Sequence, residues 1–317
     1  MINFIKMKKL YLLTVLGIIT FFDVSAQQDP HYTQYMYNLS VVNPAYAGSK
    51  ENMSGGLLYR KQWVQIEDAP TTGTFFLHSP VGKNVGVGIS FISDKIGPVE
   101  ENNVYADFSY TLNLGGDKRL AFGLKGGATF HKVGLYSQIG NGHVPDANDP
   151  AFQQDTNRTL LNVGSGLFYY TDKFYLSFSV PNMLKGKYLD YRYQNNDYEF
   201  GTEVNHYFLT GGYVFDLNSK VKFKPFAMVK TALKEPTSFD ISTNFLFNEK
   251  FEVGATYRFE DSFGAMVNYA ITPNLKIGYA YDHIVSDLKV TTPSSHEFML
   301  LFDLNFPKNV SRSPRYF

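Results

Sequence analysis

Histidine is the side chain best suited to move protons or hold metal near neutral pH, and this chain has seven: His31, His78, His131, His143, His206, His283 and His296. No two stand at a metal-pair spacing, and zero cysteines exclude disulfides, thiolate sites and a lipoprotein anchor. His131 follows Ala121, Gly123, Lys125, Gly127 and Thr129 on one face of a strand-like stretch, and with His206 it reads as a lumen histidine. Ser262 and the neighbours Ser295 and His296 are candidates for a hydrolase at a barrel rim, but no Gly-x-Ser-x-Gly motif supports a nucleophile. Asp146, Asn148, Asp149 and Asp155 offer oxygen ligands for calcium, yet the EF-hand register and its terminal Glu are missing. That stretch reads as a hydrophilic surface loop in which Asp149-Pro150 starts a turn. No catalytic, metal or cofactor residue is therefore assigned, and no cofactor is expected.

Charge is more informative than nucleophiles. Lys125, Lys222, Lys224, Lys230, Glu252, Arg258 and Glu260 fall on one face of strand-length segments. A selective channel uses charges of one sign to choose its ion. The mixed signs here favour internal ion pairs and a narrow or plugged interior.

Strict alternation sets up those faces. Phe298, Leu300, Phe302, Leu304 and Phe306 oppose Met299, Leu301, Asp303 and Asn305, while Leu275, Ile277, Tyr279 and Tyr281 oppose Lys276, Gly278, Ala280 and Asp282. Phe251, Val253, Ala255, Tyr257 and Phe259 oppose Glu252, Gly254, Thr256, Arg258 and Glu260 in the same way. About fourteen such segments run from Met53 to Phe306, by the two-residue period of a strand. Turn residues mark tight links near Ser79–Asn84, Gly115–Lys118, Thr171–Lys173, Asn218–Ser219, Asn248–Lys250 and Thr272–Asn274. The alternate links run through Val64–Pro70, Ser93–Glu101, Gly134–Asn157, Pro181–Thr202, Leu233–Pro236, Glu260–Ser262 and Ile284–Ser295, and most are longer and polar. Sorting of loop length by parity is the mark of an outer-membrane barrel with short periplasmic turns and long surface loops. The expected fold is an all-β, transmembrane, antiparallel up-and-down barrel of residues 53–306.

A hydrophobic content of 44% with a mean hydropathy of -0.21 excludes a helical membrane protein. The 23 Tyr and 28 Phe suit aromatic girdles at two lipid interfaces. Lys6, Lys8 and Lys9, an apolar run from Leu10 to Phe22, and Val24-Ser25-Ala26 have the three sections of a secretory signal, with cleavage expected after Ala26. Removing three lysines and one aspartate from 29 basic and 29 acidic residues leaves a net charge of -2, which does not suit a nucleic-acid binder. Residues 27–52 form a periplasmic or plug segment. There Asp29-Pro30 would start a short amphipathic helix carrying Tyr32, Tyr35, Met36 and Leu39 and ending before Asn43-Pro44. Its tyrosines are either anchors for a partner or packing inside the barrel base. Residues 307–317 form a tail on the same side.

Three strings add a resemblance. Gln28-Asp29-Pro30-His31-Tyr32-Thr33-Gln34-Tyr35-Met36-Tyr37-Asn38 continues to Asn43-Pro44-Ala45-Tyr46-Ala47-Gly48-Ser49, Phe174–Asn182 reads FYLSFSVPN, and the chain closes on Ser313-Pro314-Arg315-Tyr316-Phe317. Together they resemble the PorP/SprF family of the type IX secretion system of Bacteroidota. The resemblance implies an outer-membrane protein that contacts lipid, helps export or display secreted cargo such as gliding adhesins, and docks to periplasmic secretion or motility machinery. It singles out Asp29, Pro30, Tyr32, Gln34, Tyr35, Asn43, Pro44, Tyr46, Arg315, Tyr316 and Phe317 as candidate partner-binding or plug residues, and it transfers no catalytic residue. The alternative from the residues alone is a diffusion channel for a small or apolar solute.

Overall fold

In the computed structural model the described residues are 32–50, 52–134, 155–184, 187–193, 196–202, 205–232, 235–286 and 294–304. The first six strands are β1 (Met53–Lys61), β2 (Thr71–Pro80), β3 (Val85–Ile96), β4 (Val99–Gly115), β5 (Lys118–Val133) and β6 (Thr156–Tyr170). Then come β7 (Phe174–Val180), β8 (Lys187–Tyr193), β9 (Asn196–Thr202), β10 (His206–Tyr213), β11 (Phe215–Asp216) and β12 (Val221–Ala232). The last are β13 (Glu235–Phe247), β14 (Phe251–Arg258), β15 (Ser262–Thr272), β16 (Leu275–Ile284) and β17 (Ser294–Leu304).

Fourteen of these strands form one closed antiparallel barrel. β1 to β7 pair in succession, β7 pairs β10, β10 pairs β12, and β12 to β17 pair in succession back to β1. The last seam runs from Met53 opposite Leu304 to Lys61 opposite His296. β11 continues the line of β10 against β12, and β8 with β9 makes a separate hairpin. Closure follows from the solvent: hydrocarbon offers no partner for backbone N–H and C=O, so an unpaired edge would be costly there.

The two faces of the wall are inverted relative to a water-soluble protein. Outward residues are large and apolar, with Leu57 at 48% and Leu124 at 63% exposure, while inward Arg60, Lys125, Glu252 and Glu297 are at most 3% exposed. Tyr169, Phe174, Tyr213, Phe215, Phe223 and Phe245 touch ring to ring across five consecutive strand positions of the wall near the turn end, Phe215 lying on the continuation of β10. Near the opposite end Phe239, Phe259, Tyr257 and Phe263 do the same, so both aromatic girdles are present on this side of the barrel.

Three expectations need correction. The polar stretch at Ser93–Glu101 is a strand hairpin in which Asp94 pairs Glu101 and Ile96 pairs Val99, leaving Gly97-Pro98 as the whole link. Polarity there reflects height above the lipid, because β4, with 17 residues, is longer than a membrane crossing needs. Pro181–Thr202 is the expected link between two wall strands, β7 and β10, but it is not bare loop, because it holds the separate hairpin β8–β9. Glu260 sits in an exposed turn with φ of 60° after β14 ends, and so does not line the lumen.

Lipid on the outward face can be tested by depth. Leu124→Arg lies mid-strand and should cost about 2–4 kcal/mol, whereas Phe130→Arg, outward on the same strand near its loop end, should cost about 0–1 kcal/mol for the charge. Urea unfolding in vesicles, read by heat-modifiable gel migration, checks this; equal costs would mean that the face does not meet hydrocarbon.

Candidate functional site in the barrel lumen

Residues 32–50 lie inside the barrel. The expected single helix is instead three separate turns: a 3-10 turn at Tyr35–Tyr37, one α-helical turn at Leu39–Val42 and a 3-10 turn at Pro44–Tyr46. Asn38, with φ of -121° and ψ of 29°, leaves helical geometry, and Asn43 is extended because a proline follows it. The Asn43 carboxamide oxygen then accepts from Ala45 N at 2.8 Å and caps the last turn. An amphipathic helix needs a wet side. Here Gln34, Asn38 and Asn43 are as buried as Tyr35, Met36 and Leu39, because wall surrounds the segment.

Two polar clusters hold its first half. Near the loop end Arg60 donates to Asp282 at 2.7 Å, to Thr33 Oγ1 at 2.7 Å and to Glu297 at 3.3 Å. Glu297 also accepts the backbone N–H groups of Thr33 and Gln34, at 2.8 and 3.0 Å, one on each carboxylate oxygen. Beside it, Arg258 is held by both oxygens of Asp240 at about 3 Å and donates to Tyr32 O at 3.4 Å, and the Tyr32 hydroxyl meets Thr74 Oγ1 at 2.8 Å. Near the turn end the Tyr37 hydroxyl donates to Glu252, which also takes Asn244 Nδ2 at 2.7 Å and Lys224 at 3.3 Å. Lys224 and Lys276 stand 5.1 and 5.0 Å from the Tyr37 ring centre, within cation–π range.

A row of small residues seats the second half. The register places Gly86 beside Ser109, Ser109 beside Gly123, Gly123 beside Gly166 and Gly166 beside Ser179, so one small inward residue on each of β3 to β7 lies at one level. A methyl group at Gly86, Gly123 or Gly166 would come within 2.1 Å of Ala47 O, 2.0 Å of Ala45 N or 1.9 Å of Asn43 Oδ1. The two serines donate to the segment's carbonyls, Ser109 to Ala47 O at 2.6 Å and Ser179 to Val42 O at 2.9 Å. Lys125, paired with Asp107 at 3.2 Å, donates to Val41 O at 3.1 Å, and Asn43 Nδ2 donates to Ser177 Oγ at 2.7 Å and Leu167 O at 2.9 Å. Tyr46 lies edge-on to His78 and to Phe168, each at 5.3 Å between ring centres. A cavity of about 80 Å³ remains between this segment and the wall, lined in part by Tyr32, Lys125 and Lys230. That is room for a handful of waters, at about 10–15 Å³ each.

Of the candidate residues, Tyr32, Gln34, Tyr35, Asn43, Pro44 and Tyr46 come together in this lumen, whereas Asp29, Pro30, Arg315, Tyr316 and Phe317 lie outside the described residues. Lys125, Lys224, Lys230, Glu252 and Arg258 face inward as their parity predicts, and so do His131 and His206. Sequence reasoning missed Arg60, Asp107, Asp240 and Glu297 as the segment's anchors or their counter-ions. Their signal was available as charges at inward positions within strands. Ser295 and His296 point to opposite faces, so that pair is not a catalytic one: Ser295 Oγ accepts Trp63 N at 3.2 Å, and His296 meets the Tyr279 hydroxyl at 2.6 Å. Among the described residues no group of His, Asp and Glu could hold a metal ion; His31, His143 and most of the Asp146–Asp155 loop fall outside them.

A closed barrel with an apolar exterior, aromatic belts and a polar lumen occupied by the segment that precedes its first strand is an integral outer-membrane protein. The chain belongs to the family described as type IX secretion system membrane protein PorP/SprF, whose model matches residues 24–302. It is a membrane component of that system, and both the family and the fold are those of secretion or channel-type membrane proteins. No curated protein matches the sequence. Among solved structures the CymD monoaromatic hydrocarbon channel is similar at 13% identity and a TM-score of 0.51, covering 89% of this chain and 95% of its own. Acinetobacter baumannii outer membrane protein Omp33 is similar at 13% identity and a TM-score of 0.45, covering 81% of this chain and 100% of its own. At this identity the likeness to CymD concerns the fold alone.

Seating of residues 32–50 can be broken from either half. Gly123→Val drives a side chain into Ala45, and Glu297→Ala strips two N–H groups of their acceptor and leaves Arg60 half-paired, at a cost of about 3–5 kcal/mol to docking. Both should raise single-channel conductance in planar bilayers well above wild type, while the outward faces and the ladder keep the barrel folded. Wild-type conductance in both variants would show that this segment does not close the lumen.

Proposed function

We propose that this protein is a non-enzymatic accessory of type IX secretion that assists the export or surface display of cargo proteins, gliding adhesins among them. The observation that carries the reading is the lumen segment: a barrel whose interior is built around buried ion pairs and a glycine–serine seat is constructed to stay filled. A filled barrel is a rigid address in the membrane. Recognition then falls to what projects from it, namely the long-loop end with the tall strands β4 to β6 and the hairpin β8–β9 for cargo. The turn end, where β1 begins at Met53 and β17 ends at Leu304, is left for periplasmic secretion or motility machinery. Cleavage after Ala26 would leave Tyr32 six residues from the mature N-terminus, so the lumen segment is nearly the first part of the exported chain.

The competing reading, a channel for a small or apolar solute, requires the segment to leave the lumen or a path to pass around it. Deletion of the gene in its host separates the two. The accessory role predicts loss of a defined set of large proteins from the cell surface, measured by surface labelling and mass spectrometry, with solute uptake unchanged. An intact surface proteome with impaired uptake of an apolar solute would sink it.

A further inference from the structure

The wall steps down between β6 and β7. β5 and β6 pair from Arg119 opposite Tyr170 up to Val133 opposite Thr156, whereas β6 and β7 pair only from Tyr170 opposite Tyr175 up to Ser165 opposite Val180. Pro181 follows, which has no N–H to give the ladder, and the chain leaves β6 after one more bond, from Met183 N to Val163 O at 2.8 Å. Next come β8 and β9, which pair with each other. The upper part of β6 is left as a sheet edge. Parity says which groups that edge presents. Thr171 N donates to Phe174 O at the β6–β7 turn and Val163 O accepts from Met183 N, so the odd-numbered residues of β6 turn their backbone toward the β7 side. The N–H and C=O groups of Asn157, Thr159 and Leu161 therefore point past the edge, and no described residue bonds to them there.

Height explains how such an edge survives. Leu161 lies nine residues above Tyr170, and at about 3.3 Å per residue, tilted roughly 40°, that is a rise of about 23 Å, nearly the full apolar band of an outer-membrane barrel. Leu161 thus stands at the upper border of the lipid, and Thr159 and Asn157 stand in water. Edge strands that stay single are blunted by lysine, proline, a bulge or a covering loop. Asn157, Thr159 and Leu161, whose side chains lie on the outer face, supply none of these, and Arg158, the one charge in the stretch, turns to the inner face. Leu161 is 74% exposed, the highest value among the large apolar side chains described.

We propose that the edge of β6 from Thr156 to Leu161 is a strand-addition site for an extended segment of a secreted cargo protein, about six residues long, uncharged and with an apolar side chain beside Leu161. It rests on the reading that the loop end receives cargo. A row of backbone donors and acceptors at strand spacing is complementary to another extended backbone, which supplies affinity, while the alternate side chains supply selectivity. A second copy of this chain does not fit. In one membrane, a two-fold axis along the normal tilts the two facing β6 strands in opposite senses, roughly 80° apart at a tilt near 40° each, and no ladder spans that angle.

Variants of the full chain expressed in its host, scored by surface labelling and mass spectrometry beside the gene deletion, test it. Thr159→Pro removes one edge N–H and leaves the β5 ladder whole, and Leu161→Lys puts a charge on the edge as protected strands do. Each should lower the surface amount of the proteins lost in the deletion at least tenfold, whereas Thr159→Val, which keeps the N–H, should leave it at wild type. Heat-modifiable migration confirms folding of each variant, and Leu161→Lys stands as an independent arm if Thr159→Pro does not fold. The photo-crosslinking residue p-benzoylphenylalanine in place of Asn157 should join one of those same proteins. Wild-type surface amounts in either folded edge variant, equal loss in Thr159→Val, or a crosslink only to a second copy would overturn the strand-addition site and leave the accessory role standing. A deletion that keeps the surface proteome intact would overturn both.

Discussion

Every peptide group of this chain that crosses hydrocarbon must find its hydrogen-bond partner in the chain itself. Ring closure through the β1–β17 seam and through β10, which bridges β7 and β12, answers that demand. The rest of the architecture follows from it. Closing a pleated sheet forces half of all side chains inward, and an interior enclosed by fourteen strands is too wide for those side chains alone to fill.

That leftover space has been met with covalently attached material. Residues 32–50 bring donors to carboxylates and carbonyls to lysines and serines, so the charges along the inner wall are paired at least as much with the segment as with each other. Glu297 illustrates the economy: its two oxygens serve Arg60 and two backbone N–H groups, which a carboxylate can do and an amide could not. The second half is seated by the opposite device, the removal of side chains. Glycine at three of five neighbouring positions lets backbone lie on backbone, and the serines between supply the hydrogen bonds that such a contact would otherwise lack.

Much of this was legible in the residues. Period-two alternation read from Met53 to Phe306 pointed to about fourteen strands, and it set out the inward set that includes Lys125, Lys224, Glu252 and Arg258, because side chains alternate regardless of what they later touch. Where reading by period went astray, a second variable had entered. At Ser93–Glu101 polarity marked height above the bilayer and was mistaken for a loop. At Pro181–Thr202 the polar link holds two strands that pair only with each other, outside the wall. In residues 32–50 the i, i+3, i+4 spacing of Tyr32, Tyr35, Met36 and Leu39 suggested a helix, but a segment enclosed on all sides has no reason to keep its apolar residues on one face.

What the amino-acid order determined alone was the wall: its period, its turns, and the resemblance that placed the chain in a secretion family. Only the tertiary structure decided what the wall encloses. Gly86, Ser109, Gly123, Gly166 and Ser179 are scattered over 94 residues and become one surface through the ladder register, which no local pattern encodes. The same holds for Thr33 and Glu297, 264 positions apart. Contacts of that range depend on how a ring of strands closes, so they exist only once the ring does.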